Sequence, residues 1–196
     1  MNAQRVIIGV DPGLHGSIAV IADNQFRIFH DLPTRTTRNG KQELDGGALA
    51  DILESEINEY PGAEFLAMVE QVNAMPPKHD KPCPVCKKSP GMGATSAFSF
   101  GGNFGMIRGV LESMRIPYEL IVPQSWKARL GMKGTAKDYS RTKAAQLYPT
   151  SAPFLQRKKD IGRSDALLIA HAALLPTSTQ QVKRNREALQ QGQIPF

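Results

Sequence analysis

Two acidic residues each follow an apolar run that is typical of a buried strand. Asp11 comes directly after residues 6–10, and Glu70 comes directly after residues 65–69. Asp is rare in strands and is seldom buried without a partner, so a carboxylate in this place requires a nearby cation or metal ion. An ordinary turn aspartate is the alternative at Asp11, because Asp-Pro-Gly also forms turns. A second apolar run at 17–21 favours a strand pair that holds Asp11 at the open end of a sheet.

A third acid, Asp165, opens the apolar segment 166–175, which has the composition of a buried helix. Carboxylates that meet at one site raise each other's pKa, because like charges at short range repel. A divalent cation removes that conflict, and hard oxygen ligands favour Mg²⁺ or Mn²⁺. Two such ions about 3.5–4 Å apart are the usual device for in-line displacement at a phosphodiester. The three acids therefore predict metal-dependent phosphodiester chemistry.

The positive charge of the chain is concentrated in one stretch. The net charge is +6, and residues 127–163 alone hold ten Lys or Arg against two acids. Such a block commonly marks a surface for a polyanion, because each cation that neutralises a phosphate releases condensed counterions. A solvated helix face is the alternative. Nucleic acid is the favoured partner.

The composition is that of an ordinary globular protein, with 196 residues, 41% hydrophobic and 21% charged. No basic segment followed by a long apolar region opens the chain, and no apolar stretch approaches the ~18 residues of a membrane span. We therefore expect a cytoplasmic protein with no membrane partner. The two cysteines are too few and too close together for a disulfide scaffold.

The hydrophobic periodicity predicts a mixed α/β architecture. Strands are expected at 6–10, 17–21 and 26–32, which form an antiparallel meander, and at 65–70 and 118–122. Helices are expected at 47–60, 103–114, 124–130, 141–147 and 165–175, the fourth of them with Ser140 as N-cap. Segments 33–46 and 73–96 read as loops, and the tail after Pro176 is polar. Three meandering strands followed by helix-strand units indicate a mixed sheet with helices on both faces.

Five motifs in the same order resemble those of the RuvC-type Holliday-junction resolvases, within the RNase H-like superfamily and especially its phage branch. They span about residues 6–175 and are Gly9-Val10-Asp11-Pro12-Gly13, Val69-Glu70-Gln71-Val72 followed by Ala74-Met75-Pro76, Phe100-Gly101 with Gly105 and Gly109, Pro123-Gln124-Ser125-Trp126-Lys127, and Gly162-Arg163-Ser164-Asp165-Ala166. Each motif alone is weak evidence, but five motifs in the same order are a specific match.

The resemblance implies an RNase H-like nuclease domain over residues 1–176, followed by a flexible tail at 177–196. It implies a five-stranded sheet, three strands antiparallel and two parallel, and a homodimer that cleaves four-way DNA junctions with two Mg²⁺ ions per site, leaving 5′ phosphates. Asp11, Glu70 and Asp165 would be the metal ligands. A nuclease acting on RNA or on other DNA structures, and a junction-binding protein that does not cleave, stay open as alternatives.

Asp160 is the expected fourth catalytic and metal-binding acid. In bacterial members of the family the last two acids lie three positions apart, whereas here five positions separate Asp160 from Asp165. On one continuous helix they would lie about 140° apart, so both can face the metal only if the helix begins after Asp160. A charge that favours the helix dipole is the alternative.

The basic stretch supplies most of the expected DNA-binding residues. Lys133 and Lys143 resemble basic positions that contact DNA in the family, while ordinary surface charge is the alternative for each. An aromatic side chain near the branch point could stack on an exposed base. The expected DNA-binding set is Phe100, Lys127, Lys133, Lys137, Lys143, Lys158 and Arg163.

Two further motifs lie outside the core pattern. Residues 76–97 resemble an insertion that contains Cys83 and Cys86, half of a Zn²⁺ site, which His79 or a second subunit could complete. Reduced surface thiols are the alternative. The final residues 191–196 resemble the short peptides that dock on bacterial sliding clamps, a match that also arises by chance.

Overall fold

The computed structural model describes residues 4–72 and 94–176. The strands in chain order are β1 (Arg5–Val10), β2 (Ser17–Ala22), β3 (Gln25–Asp31), β4 (Thr34–Thr36), β5 (Gln42–Leu44), β6 (Glu64–Glu70) and β7 (Tyr118–Ile121). The helices are α1 (Gly46–Glu59), α2 (Ala94–Ser113), α3 (Pro123–Arg129), α4 (Tyr139–Leu147) and α5 (Ile161–Leu174). Two 3-10 turns, Pro149–Phe154 and Lys158–Asp160, connect α4 to α5.

Five strands form one mixed sheet in the order β3-β2-β1-β6-β7. β1 pairs antiparallel with β2, and β2 pairs antiparallel with β3. β6 lies parallel to both β1 and β7, and α1 and α2 lie within the connections that these parallel pairs require. The expected sheet of three antiparallel and two parallel strands is therefore confirmed.

Each face of the sheet is covered by its own hydrophobic cluster, because neighbouring side chains of a strand point to opposite faces. Val6, Ile8 and Val10 of β1 pack with residues of α1 and α2. Ile7 of β1 and Met68 of β6 pack instead with α3, α4 and α5. The central strands are buried on both faces, as their continuous apolar sequence predicts.

The structure differs from the predicted elements in four places. Residues 33–46 contain the β4–β5 ribbon, whose strands are too short and polar to be recognised. The α2 helix begins at Ala94 and not at 103, although Gly101 and Gly102, which have low helix propensity, lie in this added part. The α5 helix begins at Ile161, so Asp165 lies in its second turn. Ser140 is not an N-cap, because α4 already begins at Tyr139.

Several predictions concern residues outside the described part of the chain. The Zn²⁺ hypothesis for Cys83 and Cys86 and the clamp peptide at 191–196 both lie there, and both stay predictions. Over residues 4–72 and 94–176, no helix is long and apolar enough to cross a bilayer.

Candidate active site

Asp11 and Glu70 lie side by side at one edge of the central sheet. The parallel register of β1 and β6 pairs Val10 with Val69, so the next residue of each chain segment is one of the two acids. By alternation along their strands, both acids share the face of Ile7 and Met68, which α5 covers. The backbone N–H of Asp11 donates to the Ser17 carbonyl at 3.0 Å and closes the β1–β2 connection.

Asp165 reaches the same place from α5, which packs across β1 and β2. Burial raises the pKa of Asp11 to about 6, and the neighbouring charge of Glu70 adds to the rise. Burial likewise raises the pKa of Asp165 to about 6, with a further contribution from Asp11. The pKa of Glu70 is raised by burial and by the charge of Asp165. Each of the three carboxylates therefore interacts with the other two, and we call them the acidic cluster.

One oxygen of the acidic cluster is left without a partner. Asp165 Oδ1 is buried and accepts no hydrogen bond within the described residues. A buried carboxylate oxygen without a donor is costly, and a cation would satisfy it. The donor set of three half-buried carboxylates suits Mg²⁺ or Mn²⁺. No three His, Cys, Asp or Glu side chains within residues 4–72 and 94–176 already form a ready metal-ligating group.

Glu70 has a hydrogen-bond partner that the sequence did not reveal. The indole N–H of Trp126, in α3, donates to Glu70 Oε1 at 2.8 Å. Fifty-six positions separate the two residues. The Pro-Gln-Ser-Trp-Lys motif contains Trp126 but does not predict this contact, which depends on how α3 packs against α5.

Two of the expected DNA-binding lysines lie near the acidic cluster. The charges of Lys127 and Lys137 both lower the pKa of Asp11 and of Asp165, opposing the effect of burial. Lys127 acts on Glu70 in the same direction. The three carboxylates are thus flanked by cations that could hold the phosphates of a bound strand.

The other expected DNA-binding residues show no interaction with the acidic cluster in the described structure. Lys133 and Lys158 are exposed, and Phe100 is half-buried in α2. Lys143 lies near His171, whose pKa is lowered by burial and by this lysine. Their roles in DNA binding stay predictions.

Asp160 is paired with Arg157. Its carboxylate is buried, with 4% of the residue exposed, and accepts hydrogen bonds from Arg157. The Arg157 backbone N–H lies 2.8 Å from Oδ2, and Nη2 lies 2.8 Å from Oδ1. This pairing with Arg157 holds the pKa of Asp160 below its usual value. α5 does begin directly after Asp160, but the described contacts favour a structural role, and its assignment as fourth metal ligand stays a prediction.

Arg163 is engaged in an ion pair. Its Nε and Nη2 donate to the two carboxylate oxygens of Asp31 at 2.7 and 2.6 Å. Asp31 ends β3 and also accepts from Ser17 Oγ at 3.2 Å. This bidentate pair ties the first turn of α5 to the edge of the sheet. A DNA contact by Arg163 stays a prediction.

The topology and the position of the acidic cluster define an RNase H-like fold. The chain is similar to the structure titled "T. thermophilus RuvC in complex with Holliday junction substrate", with a TM-score of 0.54 and 14% identity over 86% of this chain and 91% of that one. A second Thermus thermophilus RuvC structure gives a TM-score of 0.47 at 14% identity, over 85% of this chain and 91% of that one.

A curated relative is similar in sequence over part of the chain. The "Holliday junction resolvase MOC1, chloroplastic" of Chlamydomonas reinhardtii is 38% identical over 86 residues. The matched segment covers 43% of this chain and 10% of that protein, so the chain spans only a small part of the relative's length. No family model matches the sequence.

Proposed function

We propose that this protein is a metal-dependent endonuclease that resolves Holliday junctions or related branched DNA. The observation that carries the proposal is the convergence of Asp11, Glu70 and Asp165, three half-buried carboxylates from two strand ends and one helix, whose pKa values are raised by burial and by one another's charge. The partial similarity to a resolvase and the shared fold with RuvC support DNA junctions as the substrate class.

The acidic cluster would hold divalent cations through its carboxylate oxygens. Within the part of the chain that the structure describes, Asp165 Oδ1 is buried and has no hydrogen-bond partner, so it is one oxygen ready for a cation. Oε2 of Glu70, which does not accept the Trp126 hydrogen bond, is another. Two bound Mg²⁺ or Mn²⁺ ions supply the charge that activates water and stabilises the leaving 3′ oxygen in phosphodiester hydrolysis. Partial burial of the carboxylates strengthens their attraction for such ions, because charges interact more strongly where the dielectric constant is low.

The protein's own cations would place the DNA backbone over the acidic cluster. Lys127 and Lys137 lie near enough to act on the carboxylates, so a phosphate held between these lysines and the metal site would be aligned for hydrolysis. Exposed Lys133 and Lys158 extend the positive surface, and phosphate contacts of this kind position DNA without reading its sequence.

A homodimer would place two acidic clusters on one four-way junction, which needs two cuts to separate into two duplexes. Sedimentation of the free protein and of its junction complex would measure the number of copies. A complex with one copy per junction and a single cut would contradict the dimer but not the nuclease.

The decisive experiment is cleavage of a synthetic four-way junction by the full chain. With Mg²⁺ we expect paired cuts that leave 5′ phosphates, and no cutting in EDTA. Asp11→Asn should abolish cleavage and leave junction binding intact. Linear duplex DNA and an RNA–DNA hybrid of the same sequence are the control substrates. If either one is cleaved faster than the junction, the junction is not the preferred substrate.

The two motifs outside the described residues are proposed as accessory sites. Cys83 and Cys86 would hold Zn²⁺, which metal analysis of the wild-type protein and of Cys83→Ser would test. The segment 191–196 would bind a sliding clamp, and failure of the full chain to bind a purified clamp would dismiss it.

A further inference from the structure

Trp126 is the single tryptophan of the chain and is completely buried. A buried indole N–H needs an acceptor, because an unsatisfied buried donor costs about 1–3 kcal/mol. The acceptor here is Glu70 Oε1, at 2.8 Å. The one tryptophan of the protein thus contacts a member of the acidic cluster directly.

The hydrogen bond holds one oxygen of Glu70 and leaves the other available. A carboxylate has about four acceptor sites on its two oxygens. Within residues 4–72 and 94–176, the bond from Trp126 is the one hydrogen bond found at this carboxylate. Outer hydrogen bonds of this kind orient metal-ligating side chains and affect metal affinity. Oε2 of Glu70 can therefore bind a cation while Oε1 stays fixed.

The same indole ring lies beside a cation of the site. Lys127 Nζ lies 5.0 Å from the centroid of the Trp126 ring, within the range of a cation–π interaction. The charge of Lys127 acts on Asp11, Glu70 and Asp165. Trp126 thus contacts both a carboxylate of the acidic cluster and the lysine that flanks it.

We propose that Trp126 is a positioning residue of the active site, whose indole N–H holds Glu70 Oε1 so that Oε2 binds a divalent cation. Its ring at the same time supports Lys127 beside the acidic cluster. This inference rests on the proposed function, because it requires Glu70 to be a metal ligand.

The lone tryptophan makes the contact directly observable. When the full-length protein is titrated with Mg²⁺, binding at Glu70 should change the polarisation of the indole N–H, giving a saturable change in tryptophan fluorescence. Asp11→Asn should shift that titration to at least about tenfold higher Mg²⁺, since outer and inner partners of a site each affect metal affinity by about 10–100-fold. Unchanged fluorescence at a Mg²⁺ concentration that supports cleavage would overturn the inference.

Trp126→Phe removes the donor and keeps an aromatic ring. We expect the Mg²⁺ concentration for half-maximal cleavage to rise about tenfold. Tyr148→Phe is the matched control, because Tyr148 is a buried aromatic residue of the same hydrophobic cluster whose hydroxyl bonds His171 Nδ1 at 2.8 Å. It should lower the melting temperature without changing the Mg²⁺ requirement. If Trp126→Phe and the wild type require the same Mg²⁺ concentration, or if that concentration rises equally in Tyr148→Phe, then Trp126 contributes only to packing and the inference is wrong.

A second variant covers the case in which Trp126→Phe does not fold. Biosynthetic replacement of tryptophan by benzothienylalanine changes one position only and replaces the N–H by sulfur in a ring of nearly the same shape. For the protein with this replacement, the Mg²⁺ concentration needed for cleavage should rise as for Trp126→Phe. The Mg²⁺ concentration needed to stabilise it against heat should rise in the same way. Wild-type protein that neither binds Mg²⁺ nor cleaves would overturn the proposed function as well, whereas active wild type with an equally active replacement overturns the role of Trp126 alone.

Discussion

Gly9 of β1 lies directly against Ala166 of α5. A Cβ added at Gly9 would lie 2.0 Å from the Ala166 carbonyl oxygen and 2.6 Å from the Ala170 backbone nitrogen. No other residue type allows the helix to approach the strand this closely. Since Asp11 follows Gly9 by two positions and Asp165 precedes Ala166, this contact brings the strand acid and the helix acid of the acidic cluster together.

Gly9→Ala should therefore damage both stability and activity. We expect the free energy of unfolding to fall by about 1–3 kcal/mol, the range for overpacking in a core, because α5 must move away from β1. Urea denaturation measures the loss, and junction cleavage at a permissive temperature measures the displacement of Asp165. Gly101→Ala is the control, because a Cβ at Gly101 in α2 meets no atom within 4 Å. That control should be neutral or stabilising by up to about 1 kcal/mol.

The acidic cluster should make the metal-free protein less stable at neutral than at mildly acidic pH. The pKa values of Asp11 and Asp165 are about 6 in the folded protein against 3.8 for a free side chain, so between these values the folded state binds more protons than the unfolded state. The contribution of these groups to the free energy of unfolding therefore falls as pH rises from about 4 to about 6, and it stays low above that. Thermal melts in EDTA across this range measure the decline.

Asp11→Asn is the control for that pH dependence. Removing one buried charge should raise the melting temperature of the metal-free protein at neutral pH by several degrees, with an upper bound of about 3 kcal/mol from the size of the pKa shift. Mg²⁺ should stabilise the wild type at neutral pH and the variant much less. A wild type whose stability in EDTA does not fall over this range would mean that burial and mutual repulsion do not raise the pKa of these carboxylates as described.

The roles of Asp160 and Asp165 should separate by mutation. We expect Asp165→Asn to abolish cleavage and weaken Mg²⁺ binding, with little loss of stability. Asp160→Asn should instead lower the melting temperature by several degrees, because it breaks the charged hydrogen bonds from Arg157, and leave the Mg²⁺ requirement unchanged. Arg157→Gln should reproduce the effect of Asp160→Asn, and the double variant should be no worse than either alone. A tenfold rise in the Mg²⁺ requirement of Asp160→Asn alone would restore it as a metal ligand.

Lys137 should contribute through phosphate binding. We expect Lys137→Gln to weaken junction binding about equally for all DNA sequences. The slope of log affinity against log salt concentration should become smaller in magnitude by about one. Arg115→Gln is the charge-matched control, because Arg115 lies near the start of β6, at the opposite end of the strand from Glu70. Fluorescence anisotropy across a salt series measures both. Equal salt slopes for the two variants would mean that Lys137 does not contact DNA phosphates.

The sequence alone determined the sheet and singled out three acids for the candidate site. Apolar runs of strand length fix which segments are buried, and a carboxylate at the end of such a run has few stable environments other than a cation or metal site, so Asp11 and Glu70 were recognisable without coordinates. Asp165 was recognised by its place at the start of an apolar helical segment. These signals are local, because they depend only on residue type and on the spacing of apolar residues along the chain.

Only the tertiary structure decided how those acids are held. The Gly9–Ala166 approach, the Trp126–Glu70 hydrogen bond and the ion pair of Arg163 with Asp31 join residues far apart in sequence, and no periodicity records them. Asp160 shows the same limit, because its spacing from Asp165 leaves two orientations open and does not reveal its pairing with Arg157. Side-chain direction at such positions depends on competition among partners from different elements, which exists only once the chain has packed.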